Sequence, residues 1–60
     1  MMDNDIMNEI LFNIQNEFEE NVDERQLFNM IKEQADYYQL NAYGVTLKFN
    51  KDDGSLIEND

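Results

Sequence analysis

The sequence predicts a small α+β domain in which a two-helix hairpin is followed by a C-terminal two-stranded β-hairpin, in the order α-α-β-β. Three observations lead to this prediction. Apolar residues recur at helical spacing in the first part of the chain, the spacing becomes alternating after Gly44, and turn-forming residues follow Phe49. A chain of 60 residues fits one domain, which we take to span residues 1–60.

The first helix is predicted to begin at Asp3 or Asp5 and to end near Glu20. Its apolar residues stand at positions 7, 10, 11, 14 and 18, which is the pattern of a helix with one buried face. One of the polar residues at positions 3–5 is a suitable N-cap. Glu17 and Glu19 lie near the negative end of the helix dipole, so we expect fraying there.

The second helix is predicted to follow Asp23 and to extend to about Leu40. Asp23 and Gln26 have the spacing of a capping box, and Asn41 is expected to end the helix in the left-handed conformation. The residues expected on its buried side are Leu27, Ile31, Gln34 or Ala35, and Tyr38, with Phe28 and Met30 beside them. The connection is so short that the helices must run antiparallel or meet at a sharp corner.

The β-hairpin is predicted from residue 45 onward, where apolar residues at 45, 47 and 49 alternate with polar ones. The preferred register has a turn of residues 52–54, with Gly54 at positive φ, and places Ile57 opposite Phe49. A two-residue turn of Asp53 and Gly54 is the alternative, and it would place Leu56 on the Phe49 side.

The balance of charges limits the classes of partner. Fourteen acidic residues against four basic ones give a net charge of −10. Direct binding to nucleic acid requires cations at the phosphates, and anionic lipid headgroups repel an acidic surface. A basic protein, in particular one that itself binds nucleic acid, is therefore the expected partner.

No catalytic, cofactor-binding or metal-binding residues are predicted. The chain has no histidine or cysteine to activate Ser55 or Thr46 as a nucleophile or to form a zinc site. The segment around Gly54 resembles a calcium loop only briefly, because Phe49 and Lys51 would occupy ligand positions that need oxygen. We therefore expect a protein that is not an enzyme and carries no cofactor.

The composition also indicates a cellular setting. The first ten residues contain no basic residue, unlike a secretory signal, and no apolar run approaches the roughly 20 residues of a membrane helix. We expect a cytoplasmic protein without membrane association. Nine asparagines indicate an AT-rich coding sequence, as in many bacteria and their phages.

Phe12 is the best indicator of a functional site. It falls on the polar side of the first helix, where a large apolar ring with a polar rim has the composition of an interface anchor. The predicted partner-binding residues are Asp5, Glu9, Phe12, Asn16, Glu19 and Glu20. Two alternatives place Phe12 beneath the β-hairpin or against a second copy of the chain.

These features predict a non-enzymatic regulator or inhibitor that binds a basic protein surface through its acidic helical face. In its most specific form, the hypothesis is a DNA mimic of phage or mobile-element origin that occupies the DNA site of a nucleic-acid-binding protein. The alternative is a self-associating small domain, such as a homodimer, or an accessory subunit of a larger assembly. In that case Phe12, Leu40 or Leu56 would pack against another chain, because so short a chain forms only a thin core.

Overall fold

The computed structural model describes residues 2–57, which form two helices and one antiparallel sheet of four strands. The elements are α1 (Asn4–Phe18), α2 (Glu24–Met30), β1 (Ile31–Glu33), β2 (Tyr37–Ala42), β3 (Val45–Asn50) and β4 (Leu56–Ile57). Each strand pairs with the next in chain order. The α+β class is confirmed, but the sheet has four strands instead of the predicted two.

Helix α1 closely follows its prediction. Asp3 is the N-cap, and its Oδ1 accepts a hydrogen bond of 2.8 Å from the Ile6 N–H. The side chains of Met7, Ile10 and Ile14 are buried, as the helical spacing requires. The helix ends at Phe18, two residues earlier than predicted, because Glu19 adopts the left-handed conformation with φ 56°.

Helix α2 starts as predicted but ends much earlier. Asp23 and Gln26 form both hydrogen bonds of the capping box, at 2.8 and 3.1 Å. The predicted extension to Leu40 is wrong, since the helix ends at Met30 and Ile31 is already extended. Residues 31–42 instead contribute the first two strands of the sheet.

Leu40 explains why residues 37–42 form a strand. In a continuous helix its side chain would point away from the face that carries Leu27 and Ile31. As part of β2, Leu40 points to the same side as Tyr38 and is completely buried. The prediction that Asn41 caps a helix is also wrong, because Asn41 lies within β2 and pairs with Thr46.

The turn between β2 and β3 consists of Tyr43 and Gly44. Both have positive φ, 54° and 74°, and the flanking residues Ala42 and Val45 pair with each other. Positive φ at both central positions of a two-residue loop matches the twist of the two strands, and glycine adopts it readily. The sequence prediction missed this hairpin because it recognised the alternating pattern only after Gly44.

The register of β3 and β4 differs from the preferred prediction. Phe49 lies opposite Leu56, and Lys48 lies opposite Ile57, so Leu56 takes the core side. The loop holds four residues, since the Asn50 N–H donates to the Ser55 carbonyl at 2.8 Å. The predicted pairing of Phe49 with Ile57 is therefore wrong. The alternative turn placed Leu56 on the correct side but made the loop too short.

Gly54 fixes this loop against α1. It is buried and has φ 78°, and its N–H donates to the Asn50 carbonyl at 2.8 Å. A Cβ at this position would lie 2.6 Å from the Ile6 carbonyl oxygen and 3.1 Å from the Glu9 Cβ. Only glycine fits so close to the helix backbone. The loop thereby becomes a neighbour of the outward face of α1.

The core lies between the helices and the inner face of the sheet. Its buried residues are Met7, Ile10, Ile14, Leu27, Tyr38, Leu40, Leu47 and Phe49. The burial of Tyr38 confirms its predicted core position, and Val22 packs against this cluster just before α2. Among residues 2–57, no helix has the length and apolar character needed to cross a membrane.

Candidate interaction surface on helix α1

Four of the six predicted partner-binding residues form one stripe along α1. Asp5, Glu9, Phe12 and Asn16 follow each other at intervals of three or four residues, so they fall within an arc of about 60° around the helix axis. We call this stripe the Phe12 face. It lies opposite the buried residues Met7, Ile10 and Ile14.

The Phe12 ring is 59% exposed and therefore available to a partner. The alternative that placed it beneath the β-hairpin is wrong, because burial there would remove this exposure. Packing against a second copy of the chain still fits the position of the ring.

The surroundings of Phe12 contain more amides than carboxylates. The helix positions three and four residues away on either side are its neighbours on the surface. They are occupied by Asn8, Glu9, Gln15 and Asn16. The ring is thus surrounded mainly by neutral hydrogen-bonding groups, and Glu9 is the one charged residue among these four positions.

The other two predicted residues, Glu19 and Glu20, lie just beyond the end of α1. A shallow hollow is lined by Gln15, Asn16, Glu19, Glu20 and Asn21. Asn16 belongs both to this hollow and to the Phe12 face. The six predicted residues consequently occupy one continuous surface that follows α1 from its first turn to the connection with α2.

Tyr43 holds the Glu20 end of this surface in place. Its hydroxyl donates a hydrogen bond to the Glu20 carboxylate, and its ring packs edge-on against Phe18 at a centroid distance of 5.2 Å. This hydrogen bond and the negative charge of Glu20 raise the pKa of Tyr43 above its ordinary value. Tyr43 itself is 72% exposed.

The β3–β4 loop adds acidic residues beside Glu9, which the sequence did not reveal. Asn13 Nδ2 donates to the Glu9 carbonyl at 3.0 Å and lies 3.4 Å from the Gly54 carbonyl, so loop and helix are in contact. Asp52 and Asp53 are exposed in the same loop. The Ser55 N–H donates to the Asp53 carboxylate at 2.9 Å and lowers the pKa of this residue.

A second exposed ring, Phe28, lies on α2. The sequence placed it beside the core, but it is 54% exposed. It borders one hollow with Asp23, Glu24, Arg25 and Asn29, and a smaller pocket on its other side. The smaller pocket also includes Met2, so Phe28 lies near the residues that precede α1.

The described residues offer surfaces for binding and no cluster of metal ligands. Within residues 2–57, no three acidic side chains lie close enough together to hold a metal ion. All described acidic residues are at the surface, and none is buried. No family model, curated protein or solved structure matches the chain.

Proposed function

We propose that this protein is a non-enzymatic regulator or inhibitor that binds a basic surface of another protein through the Phe12 face. The exposure of Phe12 carries this proposal. A phenylalanine ring that is 59% exposed, on the side of α1 opposite the core, contributes little to folding but gives a partner a large apolar area to cover.

The charge of the chain favours a cationic partner. A net charge of −10 attracts basic surfaces over distances comparable to the Debye length and repels other acidic ones. Glu9, Glu19 and Glu20 lie on the same continuous surface as Phe12. We therefore propose that the carboxylates increase the rate of association and that the Phe12 ring slows dissociation of the complex.

Mimicry of DNA is the most specific form of this proposal. Many basic protein surfaces serve to bind nucleic acid, so an acidic protein that covers one of them blocks it. The protein would then act as an inhibitor of a nucleic-acid-binding protein in a bacterium or its phage. Because amides surround Phe12, we expect the ring and its hydrogen-bonding neighbours to choose the target, while the charge supplies the competition with DNA.

Affinity capture from a bacterial extract, with matched baits, tests the proposal. The baits are the wild type, Phe12→Ala, and Phe28→Ala as a control with an equally exposed ring on α2. The wild type and Phe28→Ala should retain the same basic protein. With the purified partner, Phe12→Ala should weaken binding by about 30-fold, mostly through faster dissociation.

Charge variants separate the role of the carboxylates in association from the role of the Phe12 ring in slowing dissociation. Glu9→Gln combined with Glu20→Gln should slow association and reduce its dependence on salt, with little effect on dissociation. Retention of the basic partner by Phe12→Ala at wild-type affinity would contradict the proposal. Simultaneous binding of the partner to DNA and to this protein would contradict only the mimicry.

Self-association is the second candidate, and the exposure of both Phe12 and Phe28 favours it. Leu40 cannot contribute to a contact with another chain, contrary to the prediction, because it is completely buried. Sedimentation over a range of protein concentrations distinguishes the two candidates. A monomer throughout that range supports the binding of a different partner.

A further inference from the structure

The bond between Asp53 and Gly54 joins two residues whose peptide link is chemically labile in an unfolded chain. Glycine has no side chain to shield its amide nitrogen, so this nitrogen readily reaches the side-chain carboxyl group of a preceding aspartate. The sequence has two glycines, and the other one follows Tyr43. No asparagine precedes a glycine, so the Asp53–Gly54 bond is the one link of this labile type in the sequence.

The reaction open to this bond is isomerisation of the aspartate. The Gly54 nitrogen attacks the side-chain carboxyl carbon of Asp53, one water molecule leaves, and a five-membered succinimide ring forms. Water then adds to the ring and opens it. When the bond between the nitrogen and the main-chain carbonyl carbon breaks, the product is isoaspartate, in which the chain passes through the side-chain carbon. Nothing is oxidised or reduced, and water is the only co-reactant.

The folded loop holds both reacting groups in other contacts. The Gly54 N–H donates to the Asn50 carbonyl at 2.8 Å, and the Asp53 carboxylate accepts the Ser55 N–H at 2.9 Å. The second hydrogen bond also lowers the pKa of Asp53. The carboxyl group therefore stays ionised, and an ionised carboxylate resists attack by nitrogen.

The position of the loop against α1 opposes the movement that ring closure requires. Closure turns the Gly54 nitrogen toward the Asp53 side chain, which displaces Gly54 itself. Gly54 is buried and has no free space toward α1, since a Cβ there would lie 2.6 Å from the Ile6 carbonyl oxygen. Its own carbonyl oxygen lies 3.4 Å from the Asn13 Nδ2. The reaction must therefore wait until the loop separates from the helix.

We propose that Asp53 is a site of spontaneous isoaspartate formation and that the contact between the β3–β4 loop and α1 controls the reaction. The folded chain protects the bond, and each opening of the loop exposes it. The glycine that makes the bond labile is the residue that the close packing requires. Isoaspartate lengthens the main chain by one methylene group, so the product releases Asp52 and Asp53 from their position beside Glu9. This inference does not depend on the function proposed for the Phe12 face.

The experiment compares the folded protein with a blocked peptide of residues 50–57, incubated for several weeks in the same neutral buffer. Chymotrypsin then releases the fragment 50–56 from the protein, and liquid chromatography with mass spectrometry separates its aspartate and isoaspartate forms, which have equal mass. We expect isoaspartate to accumulate in the peptide about tenfold faster, or more, than in the folded protein. Denaturant should raise the rate in the protein to that of the peptide.

Three variants complete the test. Asp53→Glu keeps the charge but would need a larger ring, so it should form no isomer even in denaturant, which assigns the product to residue 53. Asn13→Ala removes a contact between α1 and the loop and should speed the reaction in the folded protein by about threefold. Asn16→Ala, the control one turn further along α1, should leave the rate unchanged. The rate of each variant in denaturant gives its reactivity without the fold.

Two results would overturn the proposal. Equal rates in the folded protein and in the peptide would show that the fold gives no protection. Equal rates in the folded Asn13→Ala and Asn16→Ala variants would show that separation of the loop from α1 does not control the reaction.

Discussion

The outward faces of α1 and of the sheet lie on opposite sides of one core and differ in charge. The described sheet residues that point away from the core are Lys32, Tyr37, Gln39, Asn41, Thr46, Lys48, Asn50 and Ile57. None of them is acidic. The Phe12 face, by contrast, carries Asp5 and Glu9 and continues to Glu19 and Glu20.

The aromatic residues of the two faces differ as well. On the sheet, the Lys48 ammonium lies 5.0 Å from the centre of the half-buried Tyr37 ring. This ring therefore already makes a cation–π contact within the protein. Phe12 is an exposed ring on the acidic face. The low β propensity of acidic residues accounts for their scarcity in the described strands, in which Glu33 is the one example. It does not account for Phe12, which is why this ring supports the recognition hypothesis more strongly than charge does.

The largest expected change in the free energy of unfolding comes from variants that test which side of β2 belongs to the core. Leu40→Ala should lower the free energy of unfolding by about 2 to 5 kcal/mol, since Leu40 is completely buried. Gln39→Ala, one residue away on the outward face, should change it by less than about 0.5 kcal/mol. Urea denaturation followed by circular dichroism measures both. Equal losses would show that the two faces of the sheet have been assigned wrongly.

A smaller effect is expected where the β3–β4 loop joins the sheet to α1. Gly44→Ala and Gly54→Ala both place a side chain at positive φ, which should cost about 1 kcal/mol each. Only Gly54→Ala also meets the Ile6 carbonyl oxygen, so its total cost should be roughly 2 to 3 kcal/mol. The same denaturation experiment compares them. If the two variants were equally stable, the loop would not contact α1 as described.

The smallest expected effect concerns the ion pair between Glu33 and Lys51. The hydrogen bond and positive charge of Lys51 lower the pKa of Glu33 below its ordinary value of 4.5. Lys51→Gln should raise this pKa, while the pKa of Asp53 should stay low because it depends on the Ser55 N–H. NMR titration of the carboxyl carbons measures both values.

The sign of the linked pH effect follows from the direction of these shifts. A carboxyl group with a lowered pKa in the folded state stabilises the fold above its unfolded pKa, and this contribution is lost as the pH falls through the folded value. The effect should be small for Glu33 because the group is exposed. An unchanged Glu33 pKa in Lys51→Gln would contradict the ion pair.

Local patterns were sufficient to predict α1, its cap, the capping box of α2 and the strand β3. They failed for residues 31–42, because the position of Tyr38 fits both a helical and an alternating pattern. Only Leu40 distinguishes the two patterns, since its side chain would point away from the core in a helix and points into it in a strand. Its burial depends on pairing with Leu47 across the β2–β3 hairpin, which is a contact between two strands that a pattern within one segment does not show. The β3–β4 register depends similarly on the contact between Gly54 and Ile6.

The candidate surface was predictable to a similar extent. Helical spacing alone placed Asp5, Glu9, Phe12 and Asn16 on one stripe. The approach of the β3–β4 loop and the exposure of Phe28 were not predictable, because both depend on a chain path that turns back at Ile31. Surface features that arise within one helix were thus accessible from the sequence, and those that arise between elements were not.

The most direct test of the central claim compares the stability of Phe12→Ala with that of Ile10→Ala. If Phe12 stands outside the fold and serves a partner, Phe12→Ala should leave the free energy of unfolding within about 0.5 kcal/mol of wild type, or raise it slightly because alanine is the better helix former. Ile10→Ala should lower it by about 2 to 5 kcal/mol, since Ile10 is completely buried. A loss in Phe12→Ala as large as that in Ile10→Ala would place the ring inside the fold and contradict the account.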